Sequence, residues 1–226
     1  MGDEWGNSYK LSSLCSKIGS GATPRGGSAV YLEKGKFTLI RSQNILDNAF
    51  NREGLVFIDS LAAKKLSNVT VEDRDLLLNI TGDSVARCCL VDSSILPARV
   101  NQHVAIIRPD ITKVNSSYLR YVFISRAMKS LMLSLAGAGA TRNALTKSMI
   151  ENLDIQLPSL FRQKQIADIL GSLDDKIELN RQMNTTLEAM AQAMFKSWFV
   201  DFDPVIDNAL AAVSYTHLTL PTICSV

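Results

Sequence analysis

The sequence predicts an α+β protein in which a β-rich globular domain is followed by a long, projecting coiled-coil helix. Two observations predict this class: short apolar runs separated by turn residues before residue 158, and one long stretch of helix-forming residues after it. The chain has 226 residues, of which 46% are hydrophobic and 20% charged. This composition is ordinary for a folded domain and too apolar for a disordered chain.

The first region contains short runs that are rich in apolar and β-branched residues, the pattern of half-buried or buried strands. These runs are residues 37–40, 54–58, 75–80, 87–91 and 103–107. Helical spacing predicts one helix over residues 117–135 and a shorter one over 146–153, opened by Thr146. Because a residue before proline leaves the helical basin, Leu157-Pro158 marks a boundary. We therefore expect a first domain over residues 1–158.

A long helix is predicted over residues 159–200, where helix formers dominate and proline is absent. A helix of ~38 residues would be roughly 57 Å long. Alternating steps of four and three define an apolar seam typical of a coiled coil. The seam positions are Ile166, Leu170, Leu173, Ile177, Asn180, Asn184, Leu187, Ala191, Met194 and Trp198. Its two asparagines would fix the pairing register; alternatively, the helix packs on its own domain with both at the rim.

The end of the chain has a different character. Residues 201–213 are interpreted as a linker, and residues 214–226 contain no Asp, Glu, Lys or Arg and no helical or strand period. We interpret this last segment as a non-native, disordered tail, with a flexible native C-terminus as the alternative. His217 and Cys224 are therefore left out of the functional interpretation.

Composition and motifs exclude several classes of function. The formal net charge of +2 neither predicts nor excludes a nucleic-acid partner. The chain lacks a P-loop, a GxSxG elbow and an HExxH helix, so no enzyme activity, cofactor or metal is expected. Four cysteines without a CxxC pair indicate reduced thiols in a cytoplasmic protein. No run reaches the ~18 apolar residues of a membrane span.

Polar side chains that suit DNA recur in four turns. Arg can bond guanine through two hydrogen bonds, Asn and Gln can pair with adenine, and Thr can hold phosphates. The candidate residues are Thr23, Arg25, Arg41, Gln43, Asn44, Gln102, His103, Arg142 and Asn143. Taken one turn at a time, the alternative is that these side chains satisfy turn backbones or partly buried networks.

Taken together and in order, these segments resemble the DNA-specificity subunit of a Type I restriction–modification enzyme, or a half-length version of one. The matching stretches are GSGATPRGGSAVY (19–31), LIRSQNI (39–45), LLLNITGDSVARCCLV (76–91), NQHVAIIRP (101–109), GAGATRNALTKSMIENLDIQLPSL (137–160) and the helix that ends in FKSWFVDFDPV (162–205). The resemblance runs from about residue 9 to residue 210.

The resemblance implies a target-recognition domain followed by a spacer helix, where full-length members have two such units in tandem. It implies that the chain catalyses nothing and reads one half of a split target in double-stranded DNA. Two spacer helices would pack antiparallel and set the gap between the half-targets. The implied partners are adenine methyltransferase subunits, which bind S-adenosylmethionine, and an ATP-driven restriction subunit.

Two origins of the single unit stay open: a half-subunit that self-associates through its helix, or a fragment of a two-unit subunit. A different function also stays open, a coiled-coil assembly scaffold whose first domain binds protein rather than DNA.

Overall fold

The computed structural model describes residues 6–137 and 143–216. The chain divides into two compact units, one ending at Leu170 and the other beginning at Gly171. The strands are β1 Asn7–Lys10, β2 Cys15–Ser20, β3 Phe37–Ile40, β4 Val56–Ile58, β5 Thr70–Val71, β6 Leu76–Asn79, β7 Cys88–Leu90, β8 Ala98–Val100, β9 Val104–Pro109 and β10 Asp154–Leu157. The helices are α1 Leu11–Leu14, α2 Ser60–Lys65, α3 Ser116–Ile124, α4 Arg126–Gly137, α5 Lys147–Glu151, α6 Leu160–Phe195 and α7 Asp203–Thr216.

The strands of the first unit form three sheets. The central sheet is antiparallel, in the order β2-β9-β6-β7, and the second sheet has the order β4-β3-β8-β5. In the second sheet β3 and β8 run parallel, while the other pairs are antiparallel. β1 and β10 form a separate antiparallel pair. All five predicted strand runs are strands, and the mixed α+β class is confirmed.

The central sheet is buried on both faces. Along β6, Leu76 and Leu78 belong to a core shared with α3 and α4, whereas Leu77 belongs to a core shared with the second sheet. All three are fully buried, as is Phe123 of α3. Because successive strand residues point to opposite faces, a sheet covered on both sides needs a continuous apolar run such as Leu76–Leu78.

An ion pair joins the two large sheets at their edge. Arg108 of β9 donates to both carboxylate oxygens of Asp75, with both distances 2.8 Å, and to the Thr70 carbonyl oxygen of β5 at 3.0 Å. Asp75 is fully buried, and it also accepts from the Glu72 backbone N–H at 2.7 Å. These bonds compensate for the burial of the Asp75 charge.

Cys88 and Cys89 lie side by side on β7 and enter the two different cores. Both are free thiols, as is Cys15. Burial raises the pKa of the Cys89 thiol to about 12, because the apolar surroundings disfavour the thiolate. The two thiols therefore act as small apolar core residues.

The helix predicted over 117–135 is in fact two helices, α3 and α4. Ser125 between them has an extended conformation, with φ −61° and ψ 145°. Its hydroxyl oxygen accepts a hydrogen bond from the Met128 N–H at 3.3 Å. The apolar spacing continues across this serine, which is why the sequence pattern concealed the break.

The long helix begins where the sequence predicts. The Ser159 hydroxyl accepts from the Arg162 N–H at 3.4 Å, and α6 then continues to Phe195 and into a π-helical turn, Lys196–Val200. Gln163 is buried in the first unit, where it donates to the Pro158 carbonyl oxygen and accepts from the Asn115 N–H, both at 2.9 Å. The first compact unit therefore extends past residue 158 into α6. No helix among the described residues is long and apolar enough to cross a membrane.

In the second unit the apolar side chains of α6 are exposed. Leu173, Ile177, Leu187 and Met194 of α6, and Trp198 of the π-helical turn that continues it, are each 49 to 58% exposed. All five lie on the predicted seam, and Asn180 and Asn184 between them are exposed as well. Met183 and Met190 widen the stripe, since each lies one residue before a seam position. We name this surface the helix stripe. It consists of the seam positions between residues 173 and 198.

Most of the predicted linker is helical. Asp203 opens α7 and Pro204 follows it, a combination that favours helix initiation through the dipole and the fixed proline φ. Aspartate and proline next to an apolar helix end suggested a linker, but the Ala- and Leu-containing residues that follow continue as a helix to Thr216. Residues 217–226 of the predicted tail, with His217 and Cys224, lie outside the described residues.

Candidate nucleic-acid interface

Several strands of the two large sheets end on the same side, so that the loops that follow them lie together. β2 and β6 end where β9 begins, and β3 and β8 end together, with Ile40 opposite Val100. The Asn101 N–H donates to the Ile40 carbonyl oxygen at 3.0 Å. The Asn79 side chain donates to the Ser42 carbonyl oxygen at 2.9 Å and so joins the sheets. We name this surface the loop edge; it consists of residues 21–25, 41–44, 80–87 and 101–103.

Asn44 is a correction to the sequence analysis. Its side chain is fully buried and cannot reach a base. The amide nitrogen donates to the carbonyl oxygens of Asn51 (3.0 Å) and Glu53 (3.2 Å), and the amide oxygen accepts from the Arg41 N–H at 3.0 Å. Asn44 thus holds together the loop that follows β3, the alternative role considered for these turns.

Arg41 and Gln43 lie on the same turn but are oriented differently from Asn44. The Arg41 guanidinium donates to the Gly54 carbonyl oxygen at 2.6 Å and lies 5.6 Å from the centre of the Tyr31 ring. Gln43 is exposed, and its amide nitrogen is 3.4 Å from the same carbonyl oxygen. The Gly54 carbonyl oxygen thus orients Arg41 through a short hydrogen bond, whereas it holds Gln43 by a long one and leaves that side chain exposed.

A groove of about 450 Å³ brings together residues that are far apart in the sequence. Gln43 and His103, both predicted site residues, line it from different turns. The rest of the lining comes from the turn between β6 and β7: Thr81, Gly82, Asp83, Ser84 and Arg87, with Ser42 beside Gln43. We name it the loop-edge groove.

Arg87 is the residue that sequence analysis missed. Its side chain makes no hydrogen bond or ion pair with any residue that the structure describes, whereas Arg41 and Arg108 are both engaged. The signal was present in the sequence, since residues 81–84 form a polar turn between two buried strands. A cation at the exit of such a turn is placed to meet an anion.

Gln102, His103 and Asn143 lie beside the same turn. The Thr81 hydroxyl is 2.6 Å from Nδ1 of His103, and the Gln102 amide nitrogen is 3.1 Å from its Nε2. The Gly82 N–H donates to the Asn143 carbonyl oxygen at 3.1 Å, which places the exposed Asn143 next to the groove. Arg142, the other predicted residue of this segment, lies outside the described residues.

Thr23 and Arg25 lie in a second groove, of about 580 Å³, against α2. Lys65 of α2 and Leu61, which is 70% exposed, also line it. Gly21 makes this loop possible, because a Cβ there would be only 1.9 Å from the Val100 carbonyl oxygen. Four candidate residues thus line two grooves: Gln43 and His103 line the loop-edge groove, and Thr23 and Arg25 line this one.

Comparison with known proteins decides the family. The family described as "Type I restriction modification DNA specificity domain" matches residues 3–189, most of the chain. The chain belongs to this family. The resemblance carried by its sequence motifs is therefore confirmed, and so is its half length.

Named specificity subunits are among the relatives of this specificity domain. It is 32% identical to the HindI specificity subunit of Haemophilus influenzae over 173 residues, 76% of this chain and 37% of that protein. It is 36% identical to the MjaIX specificity subunit of Methanocaldococcus jannaschii over 108 residues, 48% of this chain and 24% of that protein. The matched segments thus cover well under half of each relative, and the chain spans about half the length of a full specificity subunit.

Solved structures show that the fold of this specificity domain is shared. The HsdS subunit of Thermoanaerobacter tengcongensis superposes with a TM-score of 0.57 and 16% identity, covering 87% of this chain and 45% of that one. The S subunit of M. genitalium gives a TM-score of 0.57 and 14% identity, covering 84% and 44%.

Proposed function

We propose that this chain recognises DNA as one half of a Type I specificity subunit, with the loop edge contacting one part of a bipartite target. One observation carries the proposal: loops from both large sheets converge, so that Gln43, Gln102, His103 and Arg87 meet around one groove. Such a set of amides and a cation matches base edges and phosphates.

The chemistry of each group suggests a role. Arg25, Arg41 and Arg87 suit guanine edges or phosphates, and Gln43, Gln102 and Asn143 suit adenine. His103 and Thr23 can each contact a phosphate or a base. Arg142 stays a predicted contact. The scaffold function considered for the sequence is not favoured, because the family and the relatives are DNA-specificity proteins.

The helix stripe supports the proposed assembly. Half-exposed Leu, Ile, Met and Trp side chains at seam spacing are typical of a helix that pairs with another helix. We propose that α6 packs antiparallel against a second such helix and acts as the spacer between half-targets. Adenine methyltransferase subunits, which bind S-adenosylmethionine, would dock on the assembly, together with a restriction subunit. The chain itself would be a non-catalytic, cytoplasmic component.

DNA binding by the full chain at rising salt concentration tests the proposal. Phosphate contacts predict a steep loss of affinity with salt, whereas a largely apolar protein interface would respond little. Arg25→Ala, Arg41→Ala and Arg87→Ala should each weaken binding, and a base-contacting arginine should also lose about 1–3 kcal/mol of discrimination at one position. Lys10→Ala is the matched control. It removes a cation of β1 that pairs with Asp154 of β10 and does not belong to the loop edge. Unchanged binding in all three arginine variants would contradict these contacts.

Adenine methylation mapped across the genome tests the assembly. Cells that carry a matching methyltransferase subunit would be compared with and without this chain. A split methylated motif that occurs only with the chain supports the proposal and reveals the target. Identical methylation in both strains would contradict it.

A further inference from the structure

A short chain of hydrogen bonds crosses the loop edge from Thr81 through His103 to Gln102. The Thr81 hydroxyl oxygen is 2.6 Å from His103 Nδ1, and the Gln102 amide nitrogen is 3.1 Å from His103 Nε2. The turn beneath is fixed, because the His103 N–H donates to the side-chain oxygen of the buried Asn101 at 3.0 Å. Gln102 itself is exposed.

The donors and acceptors along these hydrogen bonds are linked through the His103 ring, whose neutral form has one N–H and one acceptor nitrogen. With the Gln102 amide nitrogen facing the ring, Nε2 of His103 accepts. The hydrogen of the neutral imidazole then lies on Nδ1 and is donated to the Thr81 hydroxyl oxygen. The opposite orientation of the Gln102 amide pairs with the other tautomer, in which Nε2 donates to the amide oxygen and the Thr81 hydroxyl donates to Nδ1. In either arrangement the His103 ring, bonded to Thr81, holds the Gln102 amide in place.

The hydrogen bond to His103 determines which groups of the Gln102 amide are available to DNA. One hydrogen of its amide nitrogen is bonded to His103, which leaves the amide oxygen and the other hydrogen as a free acceptor–donor pair. Adenine offers the complementary pair in the major groove, the N6 donor and the N7 acceptor.

We propose that Gln102 reads one adenine of the target and that His103, oriented by Thr81, is the positioning residue that fixes the amide for that reading. This inference rests on the proposed DNA recognition and adds which residue discriminates and for which base. Asp83 and Arg87 also line the groove. They contact this groove without being members of the hydrogen-bonded chain.

Selection of DNA from a pool of duplexes with a randomised half-site, using the full chain, tests the inference. Gln102→Ala identifies the position, because adenine preference there should fall about 5- to 150-fold, the value of one bidentate contact. His103→Asn keeps a group near Thr81 but is too short to reach Gln102. It should lower the preference at that position by at least about 5-fold.

A conservative variant separates positioning from folding. His103→Gln places an amide oxygen near the site of Nε2, where it can accept from Gln102, and should restore most of the preference. Thr81→Val should lower the preference, because His103 loses the hydroxyl that bonds Nδ1 and orients its ring. Unfolding free energies of all variants are measured in parallel, so that a folding defect is recognised as a loss of all binding.

The outcomes distinguish this inference from the proposed function. If the wild-type chain selects a sequence but His103→Asn and Thr81→Val keep its adenine preference, the positioning role is wrong. If Gln102→Ala changes no position of a selected sequence, the reading role is wrong. If the wild-type chain selects no sequence at all, the proposed function itself fails.

Discussion

The two units of the chain treat their apolar side chains in opposite ways. In the first unit, large apolar residues such as Leu77 and Phe123 are fully buried between two sheets and a helix layer. In the second, Leu187, Met194 and Trp198 are each more than half exposed. The first unit is therefore stabilised by its own buried contacts, whereas the apolar side chains of the helix stripe are left exposed.

The difference follows from geometry. A sheet can be covered on both faces by elements of the same chain, but one helix cannot bury its own stripe. Helix propensity alone contributes little to the stability of a helix, which depends mostly on packing of its apolar face. The same apolar composition thus produces a core in one unit and an unpartnered surface in the other.

The largest expected effect is on the ion pair within the first unit. Arg108→Ala leaves the fully buried Asp75 carboxylate without its two 2.8 Å bonds. We expect the free energy of unfolding to fall by about 3–5 kcal/mol, the cost of an uncompensated buried charge. Urea denaturation measures it. Arg52→Ala is the matched control, because Arg52 pairs with Asp92 at the surface and should cost less than about 1 kcal/mol. Equal effects in both variants would contradict the buried role of Asp75.

The second expected effect compares the same substitution in the two units. Leu77→Ala empties part of a core and should lower the free energy of unfolding by about 2–5 kcal/mol. Leu187→Ala removes a side chain that is 58% exposed and, in dilute solution, should change it by less than about 0.5 kcal/mol. Both are measured by urea denaturation at a chain concentration where no self-association is detected. A large cost for Leu187→Ala there would mean that the stripe packs within the chain.

Sequence reasoning succeeded where the pattern is local. The predicted strand runs and the start of α6 at Pro158-Ser159 depend on neighbours along the chain, so the pattern predicts them. It failed at β1 and β10, whose pairing joins residues nearly 150 positions apart. It also missed the Ser125 break, because the apolar spacing does not change across that serine.

The candidate site was predictable only in part, for the same reason. Residue chemistry indicated Gln43, Gln102 and His103, but not that Gln43 and His103 line one groove. Nor could the sequence show that Asn44 is buried while Gln43, its neighbour, is exposed. Both facts depend on how the two sheets pack, which turn composition does not encode.

The third expected effect is on association through the helix stripe. Leu187→Ser removes apolar area that a paired helix would bury, about 1 kcal/mol in each of two copies, so self-association should weaken by roughly 30-fold. Sedimentation across a concentration series measures the dissociation constant. Gln192→Ser, a polar exposed position outside the seam, is the matched control and should leave it unchanged. Equal association of both variants and the wild type would mean that the stripe is not the pairing surface.

The smallest expected effect is a dependence of the first unit's stability on pH. Burial alone would raise the pKa of Asp92, but hydrogen bonds from Ser94 and Arg52 outweigh it and hold the pKa below the ordinary value of 3.8. The unfolded chain therefore binds a proton more readily than the folded one. The stabilisation is present above about pH 3.8 and is lost as the pH falls through the lower, folded value.

Urea denaturation between pH 3 and pH 6 measures this loss in the wild type and in Asp92→Asn. The variant lacks the titrating carboxylate, so its stability should decline less steeply toward pH 3. Glu188→Gln, which removes one exposed carboxylate from the second unit, should keep the wild-type slope, because it alters no side chain of the first unit. If Asp92→Asn and Glu188→Gln have the same slope, the surface bonds of Asp92 add nothing to a unit that its two cores already stabilise.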